Sequence, residues 1–115
     1  MSSLRERLKA KKLNEKTVTV DGDEYLVREL ARTANNELLM RSSINGEVQG
    51  DRYEAEYMAA CVCDPETNEL VEPDWTQWAD VPVHISDPLF AACMEVRGAE
   101  VKKTTIAKNS NATES

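Results

Sequence analysis

The chain has 115 residues and a mass of 12.9 kDa, which is the size of one domain. Its 41% hydrophobic residues suffice for a modest core, and its 30% charged residues indicate a soluble surface. No stretch approaches the ~18 apolar residues of a membrane-spanning helix, and the polar N-terminus lacks the apolar segment of a signal peptide. These features predict a soluble cytoplasmic protein that spans no membrane.

The charge is distributed unevenly along the chain. Residues 1–16 carry a net charge of +4, residues 17–98 carry −12 and residues 99–115 carry +1, which gives −7 for the whole protein. Because an acidic body repels nucleic-acid phosphates, direct nucleic-acid binding is disfavoured. The same negative charge either suits a basic protein partner or simply keeps the molecule soluble.

The N-terminal third predicts a helix followed by a β-hairpin. Residues 1–16 form a basic helix or arm, in which Leu4 and Leu8 make a thin apolar stripe. Alternating β-branched residues before Asp21-Gly22, and a second apolar run after it, predict a hairpin over 17–28, because Gly tolerates the positive φ of a tight turn. Two strands are marginally stable alone, so the hairpin must lie against helices or another subunit.

Four helices are predicted after the hairpin, over about residues 29–44, 51–63, 73–80 and 87–97. Their predicted boundary signals are Asn45-Gly46 as the stop of the first, Asp51 with Glu54 as the start of the second, Pro73 in the first turn of the third, and Ser86 or Asp87, Pro88 and Gly98 around the last. The fold class is therefore α+β, a predominantly helical single domain over 17–98 with one N-terminal hairpin. The polar composition predicts a disordered tail over 99–115.

Metal binding and catalysis are disfavoured by the residues present. The only soft metal ligands are Cys61, Cys63, Cys93 and His84, and no two cysteines have C-x-x-C spacing. In a helix over 51–63, Cys61 and Cys63 point about 200° apart, so buried reduced thiols are predicted. The single His has no Ser or Cys motif to accompany it, and the chain has no Gly-rich phosphate loop. We therefore expect no enzyme activity, no metal and no cofactor.

The aromatic side chains are the candidates for partner binding, because Trp and Tyr are favoured both in small cores and at interface hot spots. Trp75 is assigned to the core, whereas Trp78 remains open between the core and an exposed partner contact. The predicted contact surface consists of four aromatic residues with an acidic rim, namely Tyr53, Tyr57, Trp78 and Phe90 with Glu54, Glu56 and Asp80.

The order of these elements resembles that of a known family. A basic N-terminal helix leads to a hairpin ending in Val27-Arg28-Glu29-Leu30, and a middle helix runs into Val62-Cys63-Asp64-Pro65-Glu66-Thr67-Asn68-Glu69-Leu70-Val71. In the tail assembly chaperones of long-tailed bacteriophages (siphoviruses), a short motif commonly joins two helices. It consists of a small or Cys residue, then Val, then Asp-x-x-(Thr/Gly)-x-x-Leu. Over about residues 4–98 the chain is similar to these chaperones. Their genes often encode a short and a long product, and the chain resembles the short one, which is translated without a ribosomal frameshift.

The resemblance implies a non-catalytic function. Such chaperones keep the tape measure protein soluble while tail tube protein polymerises around it, and they leave before the virion matures. It thus implies a homo-oligomer in the host cytoplasm that binds the tape measure protein, with the tail tube protein as a second partner. Their genes often contain a ribosomal frameshift site, and Ala107-Lys108-Asn109 can be encoded with the slippery sequence A-AAA-AAC. The alternative is a small acidic adaptor, a secretion-type chaperone or a DNA-mimic inhibitor, that binds a basic protein.

Overall fold

The computed structural model describes residues 3–98, and over this range the fold is α+β, as the sequence predicts. The described range contains five helices, a three-stranded antiparallel sheet and a separate two-stranded ribbon. The predicted tail over 99–115 lies outside the described residues. The helices are α1 (Leu4–Lys9), α2 (Arg32–Arg41), α3 (Gly50–Cys61), α4 (Trp75–Trp78) and α5 (Val83–Val96), and the strands are β1 (Glu15–Val20), β2 (Asp23–Arg28), β3 (Ser43–Ile44), β4 (Glu47–Val48) and β5 (Val62–Cys63).

The predicted N-terminal hairpin is confirmed, and it starts two residues earlier than the sequence suggested. β1 and β2 pair from Glu15–Arg28 to Val20–Asp23 around the turn Asp21-Gly22. Both turn residues have positive φ, 53° and 87°, as a type I′ turn requires. β5 extends the sheet on the far side of β2, so the strand order is β1-β2-β5 and β1 lies at an edge.

The core lies between one face of this sheet and the helices α3 and α5. α3 is the central helix, since Ala55–Ala59 are five consecutive buried residues. A helix buried on successive positions must have neighbours on several sides, and α2, α4 and α5 all contact it. The largest fully buried hydrophobic side chains are Tyr57, Leu38, Leu89, Val27 and Val62.

The N-terminal helix α1 contributes nothing to this core. Ser3 and Glu6 form a capping box, in which each side chain accepts a hydrogen bond from the other residue's backbone N–H. No residue of α1 is buried, and Leu4 and Leu8 are both exposed. This short basic helix is therefore stabilised at its own N-terminus and keeps its apolar stripe on the surface.

The prediction for Asn45-Gly46 as a helix stop is wrong. These residues form the turn between β3 and β4, with φ values of 54° and 82°. α2 ends earlier, at Arg41, where the hydroxyl of the buried Ser42 donates to the Leu38 carbonyl. Asn-Gly is a strong hairpin signal because both residues tolerate a positive φ. Here the pair forms a hairpin turn and does not end the preceding helix.

The other predicted helix bounds shift where the sheet or the core requires it. The first predicted helix loses its N-terminal residues because Glu29 N–H donates to the Asn14 carbonyl and continues the hairpin. α3 ends at Cys61 because Val62–Cys63 pairs with β2. The predicted cap at Asp51 is wrong, since Gln49 precedes the helix without a side-chain cap and Asp51 lies in its first turn. α4 covers only Trp75–Trp78.

The start predicted for the last helix is also wrong. α5 begins at Val83, so Ser86 and Asp87 lie inside the helix and Pro88 is an interior residue. The backbone N–H groups of Ile85 and Ser86 donate to the Pro82 carbonyl at 3.0 Å and form the extra turn. Ser86 is buried, so tertiary packing outweighs the local preference for starting a helix at proline.

Candidate protein-binding groove

A groove of about 270 Å³ lies between α3, α4 and the start of α5. Its lining combines apolar side chains with acidic ones. The apolar lining residues are Ala55, Met58, Trp78, Ala79, Val81 and Val83, and the polar ones are Asp51, Glu54, Ser86 and Asp87.

Trp78 forms part of the groove wall and is fixed in place. Its side chain is 5% exposed, and its Nε1–H donates to the Glu72 carbonyl at 2.8 Å. The Asp74 carboxylate accepts from Thr76 N–H at 3.0 Å and caps the short α4 on which the indole stands. The indole N–H therefore has its partner within the chain, and Trp78 belongs to the core while one edge of it lines the groove.

Acidic residues surround the apolar lining. Asp51, Glu54 and Asp87 are exposed, and Asp80 is exposed between two lining residues, Ala79 and Val81. Within residues 3–98, none of these four carboxylates forms an ion pair with a cation. Unpaired carboxylates around an apolar floor favour a ligand with an apolar anchor flanked by Lys or Arg.

The aromatic residues predicted beside Trp78 form a separate cluster. Tyr57 contacts Tyr53 and Phe90 edge to face, with ring centroids 5.5 and 6.3 Å apart. Tyr57 is 1% exposed, and its hydroxyl donates to Asn35 Oδ1 at 3.1 Å. Burial raises the pKa of Tyr57 to about 12. Tyr57 is thus a core residue, and Tyr53 and Phe90 pack half-buried against it.

Glu56 is not a rim residue of the groove. Its side chain is nearly buried, and its carboxylate accepts from Arg41 and Arg52, both at 3.2 Å. Arg52 also stands over the Trp75 ring, with its guanidinium carbon 4.7 Å from the ring centroid. Trp75, predicted for the core, is half-buried beneath this guanidinium. The negative charge of Glu56 is therefore already balanced by Arg41 and Arg52 within the chain.

Helical periodicity explains why the predicted surface is divided. Positions 51, 54, 55 and 58 share one face of α3, because residues three, four and seven apart align on a helix, and these line the groove. Tyr53 and Tyr57 share another face. Of the predicted surface, the structure brings only Trp78 and Glu54 together in the groove, with Asp80 next to it.

Several groove residues were missed by the sequence interpretation. Asp51 and Met58 had a usable signal, since they share the i, i+3, i+4, i+7 spacing with Glu54 and Ala55. Val81 and Val83 had none, because Val81 lies in the short connection before α5 and Val83 is the first residue of that helix, where no hydrophobic period has yet begun. Only the packing of α4 against α3 brings that connection to the groove.

The thiols lie in the core and not at the groove. Cys61, Cys63 and Cys93 are free and buried, which confirms the predicted buried reduced thiols. A hydrogen bond between the Cys61 and Cys93 side chains, together with burial, raises the pKa of Cys61 strongly. His84 is exposed, and in residues 3–98 no three His, Cys, Asp or Glu side chains are grouped to hold a metal ion.

Comparisons with known proteins leave the family open. Models of protein families, curated proteins and solved structures were all compared with the chain, and none matched. Across the described range, no helix combines the length and the apolar character needed to cross a bilayer. The resemblance to tail assembly chaperones stays a prediction, and the groove is the structural feature on which a function can be argued.

Proposed function

We propose that this protein is a bacteriophage tail assembly chaperone that acts without catalysis and binds apolar helical stretches of the tape measure protein in the α3–α4–α5 groove. The observation that carries the proposal is the apolar lining formed by Trp78, Met58 and Val83, with carboxylates at its rim that form no ion pair within residues 3–98. An amphipathic helix is recognised by placing its apolar anchors in such a groove. We expect Lys or Arg to flank those anchors.

The size of the groove implies weak binding per copy. A volume of about 270 Å³ accommodates only one or two large apolar side chains, and burying each contributes about 1.5–3 kcal/mol before the costs of association. A long helical partner presents many such stretches, so several bound copies supply avidity while each contact stays reversible. Such reversible, multivalent binding fits a homo-oligomer that acts in the host cytoplasm and is released before the virion matures.

The decisive experiment is co-purification with the tape measure protein encoded by the same phage. Val83 is 70% exposed at the groove and is the first residue of α5, where Glu is compatible with the helix dipole. Val83→Glu puts a charge where the apolar anchor would bind, and we expect it to abolish co-purification. Met40→Glu is the matched control, because Met40 is 78% exposed on α2 and does not line the groove.

Both variants should retain the circular dichroism spectrum of the wild type. Loss of co-purification in Val83→Glu but not in Met40→Glu supports the groove. Equal co-purification of the two variants contradicts it and leaves the tape measure protein, if it binds, on another surface.

The acidic rim also supports the alternative function, a small acidic adaptor for a basic protein. The two functions differ in their response to salt. At 0.1 M ionic strength the Debye length is about 10 Å, so salt weakens the attraction between exposed charges but does not weaken the burial of apolar side chains. Binding that persists as salt rises supports the apolar groove of a chaperone. Binding lost between low and moderate salt supports the adaptor. Glu54→Gln, which removes a rim charge, should then weaken binding, whereas Val83→Glu, which adds one, should not.

A further inference from the structure

We propose that the outer edge of β1 pairs in an antiparallel manner with the same edge of a second copy of this chain. β1 is the terminal strand of the order β1-β2-β5, and within residues 3–98 no strand pairs with its outer side. The inference deepens the homo-oligomer part of the proposed function. Its test uses the purified chain alone, so its failure is separate from a failure of the tape measure experiment.

The hairpin geometry identifies the backbone groups that are available. In a two-residue type I′ hairpin the residues flanking the turn, here Val20 and Asp23, form a hydrogen-bonded pair. Alternation along the strand then directs the N–H and C=O of Thr17 and Thr19 away from β2. The bond from Glu29 N–H to the Asn14 carbonyl, at 2.9 Å, agrees with this alternation at the far end of the ladder.

Among the described residues 3–98, the edge lacks the features that normally prevent strand pairing. Native edge strands are protected by proline, bulges, outward-facing lysines or a covering element. β1 has six residues, Glu15–Val20, with no Pro or Gly and an unbroken register. Its one lysine, Lys16, forms a salt bridge with Glu95 of α5, and the β-branched Thr17 and Thr19 are exposed.

Charge complementarity favours a second copy of this chain as the occupant. The segment 1–16, with a net charge of +4, leads into one end of β1, and the acidic Asp21, Asp23 and Glu24 lie at the other end. Six residues of strand separate the two ends by about 20 Å, beyond the range of strong interaction in salt. Antiparallel pairing centred on Thr17 brings the basic segment of each copy toward the acidic turn of the other.

The backbone part of the proposal is tested by Thr17→Pro. Proline removes the outward N–H at the centre of the pairing but no bond to β2, and edge strands tolerate it. We expect a concentration-dependent dimer of the wild type in sedimentation equilibrium, and a dissociation constant raised roughly tenfold to hundredfold by Thr17→Pro, which removes two symmetry-related hydrogen bonds. Thr17→Ala keeps the N–H and is the control, expected to dimerise like the wild type.

The charge part is tested by two complementary multiple variants. Lys9→Glu with Lys11→Glu and Lys12→Glu changes the net charge of residues 1–16 from +4 to −2, and Asp23→Lys with Glu24→Lys changes that of Asp21, Asp23 and Glu24 from −3 to +1, so each variant alone repels its own copy. An equimolar mixture restores both contacts of an antiparallel dimer, and we expect a heterodimer where neither variant forms a homodimer. A wild type that is monomeric at every concentration, or a dimer unaffected by Thr17→Pro, overturns the proposal, as does a mixture that stays monomeric.

Discussion

The carboxylate of Glu56 lies 3.2 Å from the guanidinium Nη2 of Arg41, a contact that exists only because α2 packs beside α3. Glu56 is 5% exposed, whereas the Arg41 side chain is half exposed. A nearly buried carboxylate must be compensated by cations or hydrogen bonds, and Arg52 supplies a second guanidinium at 3.2 Å. Glu56 therefore ties two helices together at the edge of the core.

We expect Glu56→Ala to lower the free energy of unfolding by about 2 kcal/mol, because it removes charge-assisted hydrogen bonds from a nearly buried position. Urea denaturation at neutral pH measures the loss. Glu54→Ala is the matched control, since Glu54 is exposed and unpaired within the described residues, and surface changes of this kind usually stay within about 0.5 kcal/mol. Equal effects of the two substitutions would contradict the burial of Glu56.

Arg52→Ala should be more destabilising than Arg41→Ala. Both remove one guanidinium from Glu56, but Arg52 also lies over the Trp75 ring at 4.7 Å, a contact worth about 0.5–1 kcal/mol at an exposed site. A double-mutant cycle of Arg52→Ala with Trp75→Leu isolates that contribution to the free energy of unfolding. A coupling energy near zero would show that the stacking adds nothing to the ion pair.

The sequence predicted the fold class and the hairpin because those signals are local. Asp21-Gly22 is flanked by alternating β-branched and apolar residues, and both features depend only on neighbours in the chain. The same local rule, applied to Asn45-Gly46, would have predicted β3 and β4. Asn-Gly is also a common helix end, and the flanking strands, with two residues each and no alternation, offer no sequence signal that favours the hairpin.

The candidate site was harder to predict because it depends on tertiary packing. Trp78 and Glu54 were selected by residue type, and the structure does place both at the groove. Tyr57 and Glu56 were selected in the same way, yet α3 is the central helix and buries them on its other faces. Residue type alone could not decide which faces of α3 are covered, because α2, α4 and α5 pack there through non-local contacts.

Tyr57 predicts a loss of stability in alkali. Burial raises its pKa from 10.0 to about 12 in the folded protein, so between these pH values the unfolded chain loses the phenolic proton first. The folded state then binds more protons than the unfolded state, and stability decreases as pH rises from 10 to about 12. Below pH 10 both states hold the proton, and this contribution is fully present.

Tyr57→Phe tests this prediction by urea denaturation across that pH range. At neutral pH the variant should be about 1 kcal/mol less stable, because the hydrogen bond to Asn35 is lost. As pH rises above 10, the wild type should lose more stability than the variant and the difference should shrink. The three buried thiols are present in both proteins, so the comparison cancels their contribution. A difference that stays constant with pH would contradict the raised pKa.

The three cysteines should be unreactive in the folded protein. The thiolate is the reactive form. The hydrogen bond with Cys93, together with burial, raises the pKa of Cys61, and burial raises the pKa of Cys63. All three side chains are also nearly inaccessible to a reagent. A thiol-specific chromogenic reagent should therefore label none of them in the native state and all three in denaturant.

The rate of labelling distinguishes global from local opening. If the thiols become accessible only when the domain unfolds, the labelling rate at low denaturant should follow the free energy of unfolding, and Glu56→Ala should accelerate all three equally. Cys63 lies in β5 and pairs with Leu26 of β2, and the two strands share only two residue pairs. It is therefore the thiol most sensitive to local fraying of β5. Faster labelling of Cys63 than of Cys61 and Cys93 would show that β5 detaches while the α3–α5 core stays closed.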